Sequence, residues 1–340
     1  MKTIEINKKN LLYNLAYIKT KTKAKIAAVV KANAYGHGIK EICQILKNKV
    51  SFFCVANLEE GLQIREFDTT TKILIMGKCD NYIIASKNNL SVTIFNLEEL
   101  KTLKKRLKKI QTICVHLKIN TGMNRIGFSK LEDFHTAIKQ ISKLKKISLE
   151  GVFTHFATLR NDIPYFRQQQ KQFETFLQMI PKNKKPIIHG GGSYTSMFTN
   201  HYDMIRCGIF LYGYGSNQFK KVMKVISSIV HTDYINKDIS VGYSHSYISD
   251  KAMKIGVLPI GYNDGIPRNF IGQTMIFKNK SLKILSVCMD MTILEIPDAV
   301  KINDIISVFT NAKTWAKLLR TNEHDVLVRF TNFRGKRVIK

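Results

Sequence analysis

The chain has 340 residues, which suits one large domain or two ordinary ones, and 44% of them are hydrophobic, so it has ample material for a packed core. The low counts of proline and glycine, 6 and 19, exclude a fibrous or low-complexity chain. A formal net charge of +29 invites a nucleic-acid or membrane-surface interpretation. No apolar run approaches the roughly 18 residues of a membrane span, and no signal-peptide stretch follows the N-terminus, so we expect a soluble, cytoplasmic protein without a membrane partner.

Short apolar runs alternate with amphipathic segments through the first 220 residues. Residues 1–8 contain a strand-like alternation that we expect to pack with a second domain. Eight further runs are hydrophobic almost throughout, as in strands covered on both faces: 25–30, 51–56, 72–77, 91–95, 112–118, 149–155, 186–189 and 204–211. Helices are predicted at 39–47, 58–67, 97–109, 131–144 and 165–179, with Asn57 and Asn96 as N-caps of two of them. The alternation predicts a TIM-like (β/α)8 barrel over residues 1–220, with a doubly wound open sheet as the alternative.

The pattern changes after residue 220. Short strands with turn residues between them are predicted at 222–234, 254–259, 273–277, 282–287, 305–309 and 326–331. Only residues 314–319 have a helical pattern. We therefore expect the α/β barrel to be followed by a second, mostly β domain over residues 221–340.

The positive charge has no accompanying nucleic-acid motif. In the densest basic run, residues 101–109, the leucines form one helical stripe and the bases surround the rest of the helix, which is typical of a solvated surface. There is no zinc-ligand spacing and no glycine-rich phosphate loop of the GKS or GKT type. We expect no metal and no specific nucleic-acid partner. The six cysteines have no CxxC spacing, and we expect free thiols in a reducing compartment.

The first segment that suggests chemistry is Ala27–Gly38, where an apolar strand ends at Lys31 and a small-residue turn containing Tyr35 and a histidine follows. Desolvation at such a place lowers the pKa of an amine and makes it nucleophilic, as covalent attachment to a carbonyl compound requires. Strand-end lysines also often keep the ammonium group in water. From the residues alone, both interpretations stay open.

The ten residues Val-Val-Lys-Ala-Asn-Ala-Tyr-Gly-His-Gly closely resemble the pyridoxal-phosphate attachment signature of bacterial alanine racemases. The resemblance implies that Lys31 carries pyridoxal 5'-phosphate in the barrel. It also implies a homodimer, because in that family the C-terminal β domain completes the site of the partner subunit. The implied two-domain fold agrees with the pattern described above.

Other segments of the barrel resemble the family one at a time. Lys118-Ile-Asn-Thr-Gly-Met-Asn-Arg125 is similar to the turn that holds the carboxylate-recognising arginine, which implies that Arg125 binds substrate and that Lys118 occupies a position carbamylated in some members. By resemblance His155 lies against the pyridine ring, and Arg206 hydrogen-bonds the pyridine nitrogen. A permanent cation there disfavours protonation of the ring.

The loops after the seventh and eighth strands have the composition of a phosphate site. Barrels commonly bind phosphate there, through backbone N–H groups and a helix N-terminus. The glycine-rich loop that ends in Ser193 and the segment containing Gly208 and Ile209 meet that requirement, and the resemblance adds Tyr35. The sequence departs from the family at two places: Gly192 replaces the usual asparagine, and a C-terminal phosphate-site tyrosine is absent, with Asn332 or Phe333 in its place.

The second domain contains the remaining implied site residues. Racemisation requires proton exchange on both faces of the substrate Cα. Tyr243 lies in a segment similar to the family's catalytic tyrosine segment, which implies that Tyr243 serves one face, from the partner subunit, and Lys31 the other. Tyr262 matches a residue that lines the substrate channel, and Met289 and Asp290 match a substrate-contacting pair. The family's usual Gly-Arg before position 287 is Leu-Ser here.

We therefore interpret the chain as a pyridoxal-phosphate-dependent racemase that interconverts L- and D-alanine and supplies D-alanine for peptidoglycan. Three alternatives remain at this stage. A non-catalytic pyridoxal-phosphate carrier would lack the C-terminal domain, a nucleic-acid-binding protein is supported only by the charge, and a racemase for a neighbouring amino acid such as serine differs only in measured rates.

Overall fold

The computed structural model describes residues 1–158, 162–194 and 202–340, which form two compact units. The barrel unit contains Leu12–Lys31 and Ile42–Phe219, and the β unit contains Met1–Leu11, Ala32–Glu41 and Lys220–Lys340. The first strand, β1 (Lys2–Ile6), belongs to the β unit. The domain boundary expected between residues 220 and 221 stays a prediction.

The barrel unit is built on eight parallel strands whose spatial order follows the sequence, and the first of them pairs with both the second and the last. They are β2 (Lys25–Val29), β3 (Phe52–Val55), β4 (Lys72–Ile75), β5 (Leu90–Ile94), β6 (Ile113–Lys118), β7 (Ile147–Phe153), β8 (Ile187–His189) and β9 (Met204–Cys207). Asp203 brings the last two together, because its N–H donates to Ile188 O at 2.9 Å and its Oδ2 accepts from Ile188 N at 2.8 Å. The sheet is nearly closed, and the predicted barrel is confirmed.

Helices connect most of these strands. They are α1 (Lys8–Lys21), α2 (Ile39–Leu46), α3 (Leu58–Arg65), α4 (Tyr82–Lys87), α5 (Leu97–Arg106), α6 (Leu131–Ser142) and α7 (Ile163–Leu177). The two predicted caps are confirmed: Asn57 Oδ1 accepts from Glu60 N at 3.0 Å, and Asn96 Oδ1 accepts from Glu99 N at 2.8 Å. None of the helices in the described part of the chain is long and apolar enough to cross a membrane.

The β unit is organised around a nine-stranded sheet formed by β1 and eight later strands. The later strands are β10 (Met223–Ser228), β11 (His231–Ile235), β14 (Met253–Leu258), β15 (Thr274–Phe277), β16 (Lys280–Val287), β17 (Thr292–Glu295), β18 (Ile305–Phe309) and β19 (Lys336–Ile339). Their order across the sheet is β11-β14-β17-β16-β15-β18-β10-β1-β19. A separate pair is formed by β12 (Ser240–Val241) and β13 (Tyr247–Ile248). β1 lies between β10, to which it is antiparallel, and β19, to which it is parallel.

Two short helices complete the β unit: α8 (Ala312–Leu318) and α9 (Glu323–Val328). The prediction of a strand at 326–331 was wrong, because this run begins inside α9. Asn322 caps that helix by accepting from Asp325 N at 3.1 Å, and its apolar residues Val326 and Leu327 are buried. The run predicted as one strand at 222–234 divides into β10 and β11. The strand predicted at 204–211 ends at Cys207, and a turn begins at Gly208.

Candidate active site

Lys31 follows β2 in the chain, next to Val30, whose N–H still donates to Cys54 O at 2.9 Å on β3. The lysine is half-buried. Burial lowers its pKa, and the cation of Arg125 lowers it further, while Glu60 opposes the shift. The geometry therefore favours the nucleophilic interpretation of this lysine over the solvated one.

The residues after Lys31 form a left-handed turn. Ala32, Asn33, Ala34 and Tyr35 have φ between 50 and 54°, a conformation that side chains disfavour. Asn33 stabilises the turn, since its Oδ1 accepts from Ile39 N at 2.7 Å and its Nδ2 donates to Thr331 O at 3.1 Å. The turn belongs to the β unit, where the buried ring of Tyr35 lies 5.7 Å from that of His324.

Lys118 lies at the end of β6 and is only 7% exposed. Burial, followed by the cations of Arg125, Arg206 and Lys31, lowers its pKa to about 7. Arg125 is exposed on the loop that follows β6, and this loop is closed by a bond from Phe128 N to Lys118 O at 2.8 Å. At neutral pH a substantial fraction of Lys118 is thus an uncharged amine.

His155 follows β7 and is within electrostatic reach of the same group of cations. Burial lowers its pKa to about 3, with contributions in order from Arg206, Arg125, Lys118 and Lys31. The imidazole is therefore neutral at physiological pH, which suits a ring that lies against another aromatic system.

Arg206 is buried inside the barrel on β9, in register with Ala27 of β2. One amino group donates to His189 Nδ1 at 2.7 Å and to His189 O at 3.1 Å, and the other donates to Thr154 O at 2.6 Å. The guanidinium lies over the ring of Phe153 at 5.0 Å. Burial lowers its pKa to about 10, so it stays charged at neutral pH.

Ser193 and Gly208 join the two segments predicted to hold phosphate. Gly208 N donates to Ser193 Oγ at 2.9 Å, and Leu211 N donates to Gly208 O at 2.9 Å in the turn that follows. Ile209 is buried, and its carbonyl accepts from Tyr214 N at 3.1 Å. The residues directly after Tyr194, 195–201, lie outside the described part of the chain.

The other predicted site residues belong to the β unit. Tyr243 is 56% exposed in a short turn after Gly242, and Met289 is 47% exposed. Tyr262 begins a second turn, and the Arg268 guanidinium lies 5.8 Å from its ring centroid. Asp290 accepts a hydrogen bond from Arg334. This bond holds the pKa of the Asp290 carboxyl below its usual value.

The structure thus groups most of the predicted barrel residues: Lys31, Lys118, Arg125, His155 and Arg206 share electrostatic contacts. Sequence reasoning missed His116 and Glu150, which are hydrogen-bonded inside the barrel. The signal was present, since each is a polar residue within an otherwise apolar strand.

These residues fit pyridoxal phosphate. Lys31 would supply an amine of lowered pKa for the cofactor's carbonyl carbon, and Arg206 would supply a buried donor for its ring nitrogen. The Ser193–Gly208 pair supplies a hydroxyl and backbone N–H groups where barrels hold phosphate. The fold and the site together define a barrel enzyme of the pyridoxal-phosphate-dependent class.

Comparison with known proteins identifies the family. The family "Alanine racemase, N-terminal domain" matches residues 6–216, and "Alanine racemase, C-terminal domain" matches residues 222–339. Alanine racemase 2 of Caldanaerobacter subterraneus subsp. tengcongensis is 33% identical over 352 residues, 95% of this chain and 91% of that protein. The alanine racemase of Borreliella burgdorferi is 32% identical, covering 99% of this chain and 97% of its own length. The crystal structure of alanine racemase from E. faecalis has a TM-score of 0.91 at 28% identity, covering 100% of this chain and 98% of that chain.

The chain belongs to the alanine racemase family. Members are isomerases that depend on pyridoxal phosphate, and their general role is the supply of D-alanine for peptidoglycan.

Proposed function

We propose that Lys31 and Tyr243 are the two acid–base groups of this racemase, one for each face of the alanine Cα. The observation that carries the proposal is the burial of Lys31 near the cation of Arg125, because both lower the pKa of its amine and so favour the form that can act as a base. Bound pyridoxal phosphate would act as an electron sink that acidifies the Cα proton. Lys31 then accepts or returns that proton at Nζ, and the Tyr243 hydroxyl does the same from the opposite side.

The remaining barrel residues bind and orient. Arg125 is the exposed cation within reach of Lys31, and it suits the substrate carboxylate. Arg206 would donate to the ring nitrogen of the cofactor, and neutral His155 would pack against its ring. Tyr35, Ser193, Gly208 and Ile209 would hold the phosphate.

Lys118 suits carbamylation, because only an unprotonated amine attacks carbon dioxide and its pKa is about 7. The new bond joins Nζ to the carbon of CO2, and the displaced proton goes to solvent. The product is an anion among cations, which would orient Arg125.

We further propose that the protein is a homodimer in which Tyr243 acts in the partner's site with Tyr262, Met289 and Asp290. The exposure of the Tyr243 and Met289 side chains supports this, since an acid–base group that is exposed in a single chain needs a second surface to exclude water. The six free thiols support a cytoplasmic location.

Lys31 is tested by trapping. Purified protein with pyridoxal phosphate should convert L-alanine to D-alanine, and borohydride should fix the cofactor onto the peptide that contains Lys31. Lys31→Ala should abolish both results, and Lys72→Ala, which removes an exposed strand-end lysine, should abolish neither. Cofactor fixed elsewhere in the Lys31→Ala protein would contradict the assignment. The same assay with L-serine measures the preference between the two substrates.

Tyr243 is tested by complementation. Tyr243→Phe keeps the ring but removes the proton relay, so activity should fall by roughly two to four orders of magnitude while the cofactor stays bound. Mixing this inactive variant with inactive Lys31→Ala should restore activity, because a mixed dimer contains one site with both groups. Absence of restored activity after confirmed subunit exchange would place both groups on one chain.

A further inference from the structure

A chain of hydrogen bonds runs through the barrel interior from Arg206. The guanidinium is 2.7 Å from His189 Nδ1, His189 Nε2 is 2.8 Å from His116 Nδ1, and His116 Nε2 is 3.1 Å from Glu150 Oε2. Both imidazoles are 0% exposed, and Arg206 is 3% exposed. Two fully buried imidazoles therefore connect buried Arg206 to the partly buried carboxylate of Glu150.

The protons of this chain can be placed without ambiguity. A guanidinium only donates, so His189 Nδ1 accepts and carries no hydrogen. The hydrogen of His189 must then lie on Nε2, which donates to His116 Nδ1. By the same reasoning His116 Nε2 carries a hydrogen and donates to Glu150. Both histidines are thus neutral, and every donor points away from Arg206.

The shifted pKa values of these groups agree with this placement of the hydrogens. Burial and then the cation of Arg206 hold the pKa of His189 well below its usual range, and burial lowers that of His116. Although burial opposes the shift, hydrogen bonds from His116, Lys72 and Ser91 lower the pKa of Glu150 to about 2. The chain therefore ends in a carboxylate, which Lys72 Nζ also contacts at 2.6 Å.

The local fold is adapted to hold these groups. Val115 of β6 pairs with Leu149, and the next residue, His116, pairs with Gly151, so Glu150 is an extra residue in a bulge of β7. A Cβ on Gly151 would lie 2.2 Å from His116 Nδ1, so only glycine leaves room for the ring. The ring of Phe153 stacks on that of His189 at 4.7 Å.

We propose that His189, His116 and Glu150 are positioning residues that supply the counter-charge of buried Arg206 through two neutral imidazoles and fix its donor orientation. A carboxylate bonded directly to Arg206 would occupy several of the guanidinium N–H groups. The chain through His189 and His116 compensates the charge of Arg206 and occupies only one of them. That these fixed N–H groups serve the pyridine nitrogen rests on the proposed function. The direction of the hydrogen bonds in the chain does not.

The direction of these hydrogen bonds is tested on the unsubstituted apoprotein by ¹⁵N NMR of labelled histidines. We expect both His189 and His116 to be neutral at neutral pH, with the hydrogen of each ring on Nε2. A hydrogen on Nδ1 of either ring, or a protonated ring, would overturn the proposal. This measurement needs no cofactor, so its outcome is independent of borohydride trapping at Lys31, which tests the proposed function.

The role is tested by Glu150→Gln, which removes the charge but keeps the shape. By analogy with outer-shell partners of functional ligands, we expect kcat to fall about 10- to 100-fold, with a smaller change in KM and a shifted cofactor absorption band. Glu150→Asp should recover part of kcat. Lys72→Met, which removes only the exposed contact to the same carboxylate, is the matched control and should change kcat by less than about threefold. Equal kcat values for Glu150→Gln and Lys72→Met would contradict the proposal.

Discussion

Lys118 illustrates how a single ionisable residue can oppose folding at the place where it serves chemistry. Its amine is 7% exposed, and the nearby cations include Arg125 and Arg206. The pKa of about 7 in the folded protein compares with an ordinary value of 10.5. Unfolding therefore takes up a proton between these two pH values, so stability due to this group should rise as pH increases from 7 to 10.5.

Lys118→Met should stabilise the apoprotein, and the gain should be larger at low pH. Below about pH 7 the folded wild-type protein holds a buried cation, a cost that disappears as pH approaches the unfolded pKa. We expect a gain about 2–3 kcal/mol larger near pH 6 than near pH 9.5, measured by denaturant unfolding in CO2-free buffer. Lys105→Met on the exposed face of α5 is the control, with a change within about 0.5 kcal/mol at both pH values. An equal gain at both pH values for Lys118→Met would contradict the shifted pKa.

At the residue scale the sequence predicted the groups that lie in continuous motifs, such as Lys31 and Arg206. His116 and Glu150 could not be assigned in the same way, because their bond depends on the bulge in β7 and on the space left by Gly151. His116 and Glu150 are 34 positions apart in the chain, and the pairing register between their strands is a tertiary property that local pattern does not encode.

The turn that carries Tyr243 packs closely against Ser286 of β16. Gly242 has φ of +80°, and Ser246 Oγ, three residues after Tyr243, is 2.9 Å from Ser286 Oγ on β16. A Cβ on Gly242 would lie 1.9 Å from that Ser286 oxygen. The small side chain at 286, where the family usually has arginine, therefore packs directly beneath the turn.

Gly242→Ala should disturb this turn more than backbone strain alone can explain. Gly272 provides a matched control, because its φ of +83° is similar but nothing lies within 4 Å of a Cβ built there. We expect Gly272→Ala to cost about 1–2 kcal/mol of unfolding free energy and to leave activity intact. Gly242→Ala should cost about 1–3 kcal/mol more and reduce racemisation at least tenfold. Equal stability losses and equal activities in the two variants would show that Ser286 does not constrain the turn.

Helices and strands were predictable where periodicity was clear, as for the eight barrel strands. α1 was missed because its polar residues hide a weak apolar stripe, and α9 was taken for a strand because 326–331 begins with consecutive apolar residues. Such a short run fits either structure. In the fold, Val326 and Leu327 are buried on α9, and Phe330, just after the helix, packs near the rings of Phe309 and Trp315.

At the scale of the whole molecule the net charge of +29 is a property of the surface. The basic run on and after α5 is exposed, as are Lys143, Lys145 and Lys146, and none of these groups is joined to a platform of aromatic rings. The basic residues that we assign to the reaction form a separate group: Lys31, Lys118, Arg125 and Arg206.

We expect weak, non-specific DNA binding at low salt, because a basic surface releases counterions from DNA. That binding should fade steeply towards about 0.15 M salt, while racemase activity changes little, since its charged contacts are screened less. Titration of labelled DNA and activity assays over the same salt series provide the comparison. Sequence-selective binding with a nanomolar Kd at about 0.15 M salt would contradict this prediction and indicate a nucleic-acid function.

The position of β1 between β10 and β19 has a consequence for synthesis. β1 emerges from the ribosome before the barrel, but its partners, residues 223–228 and 336–339, follow more than 200 residues later. At roughly 5–20 residues per second, that delay is at least about 10–40 s. The barrel segments are themselves still being made during this time, because the barrel unit extends to Phe219. β1 meanwhile has two unpaired edges, which makes it the natural segment for a chaperone to shield.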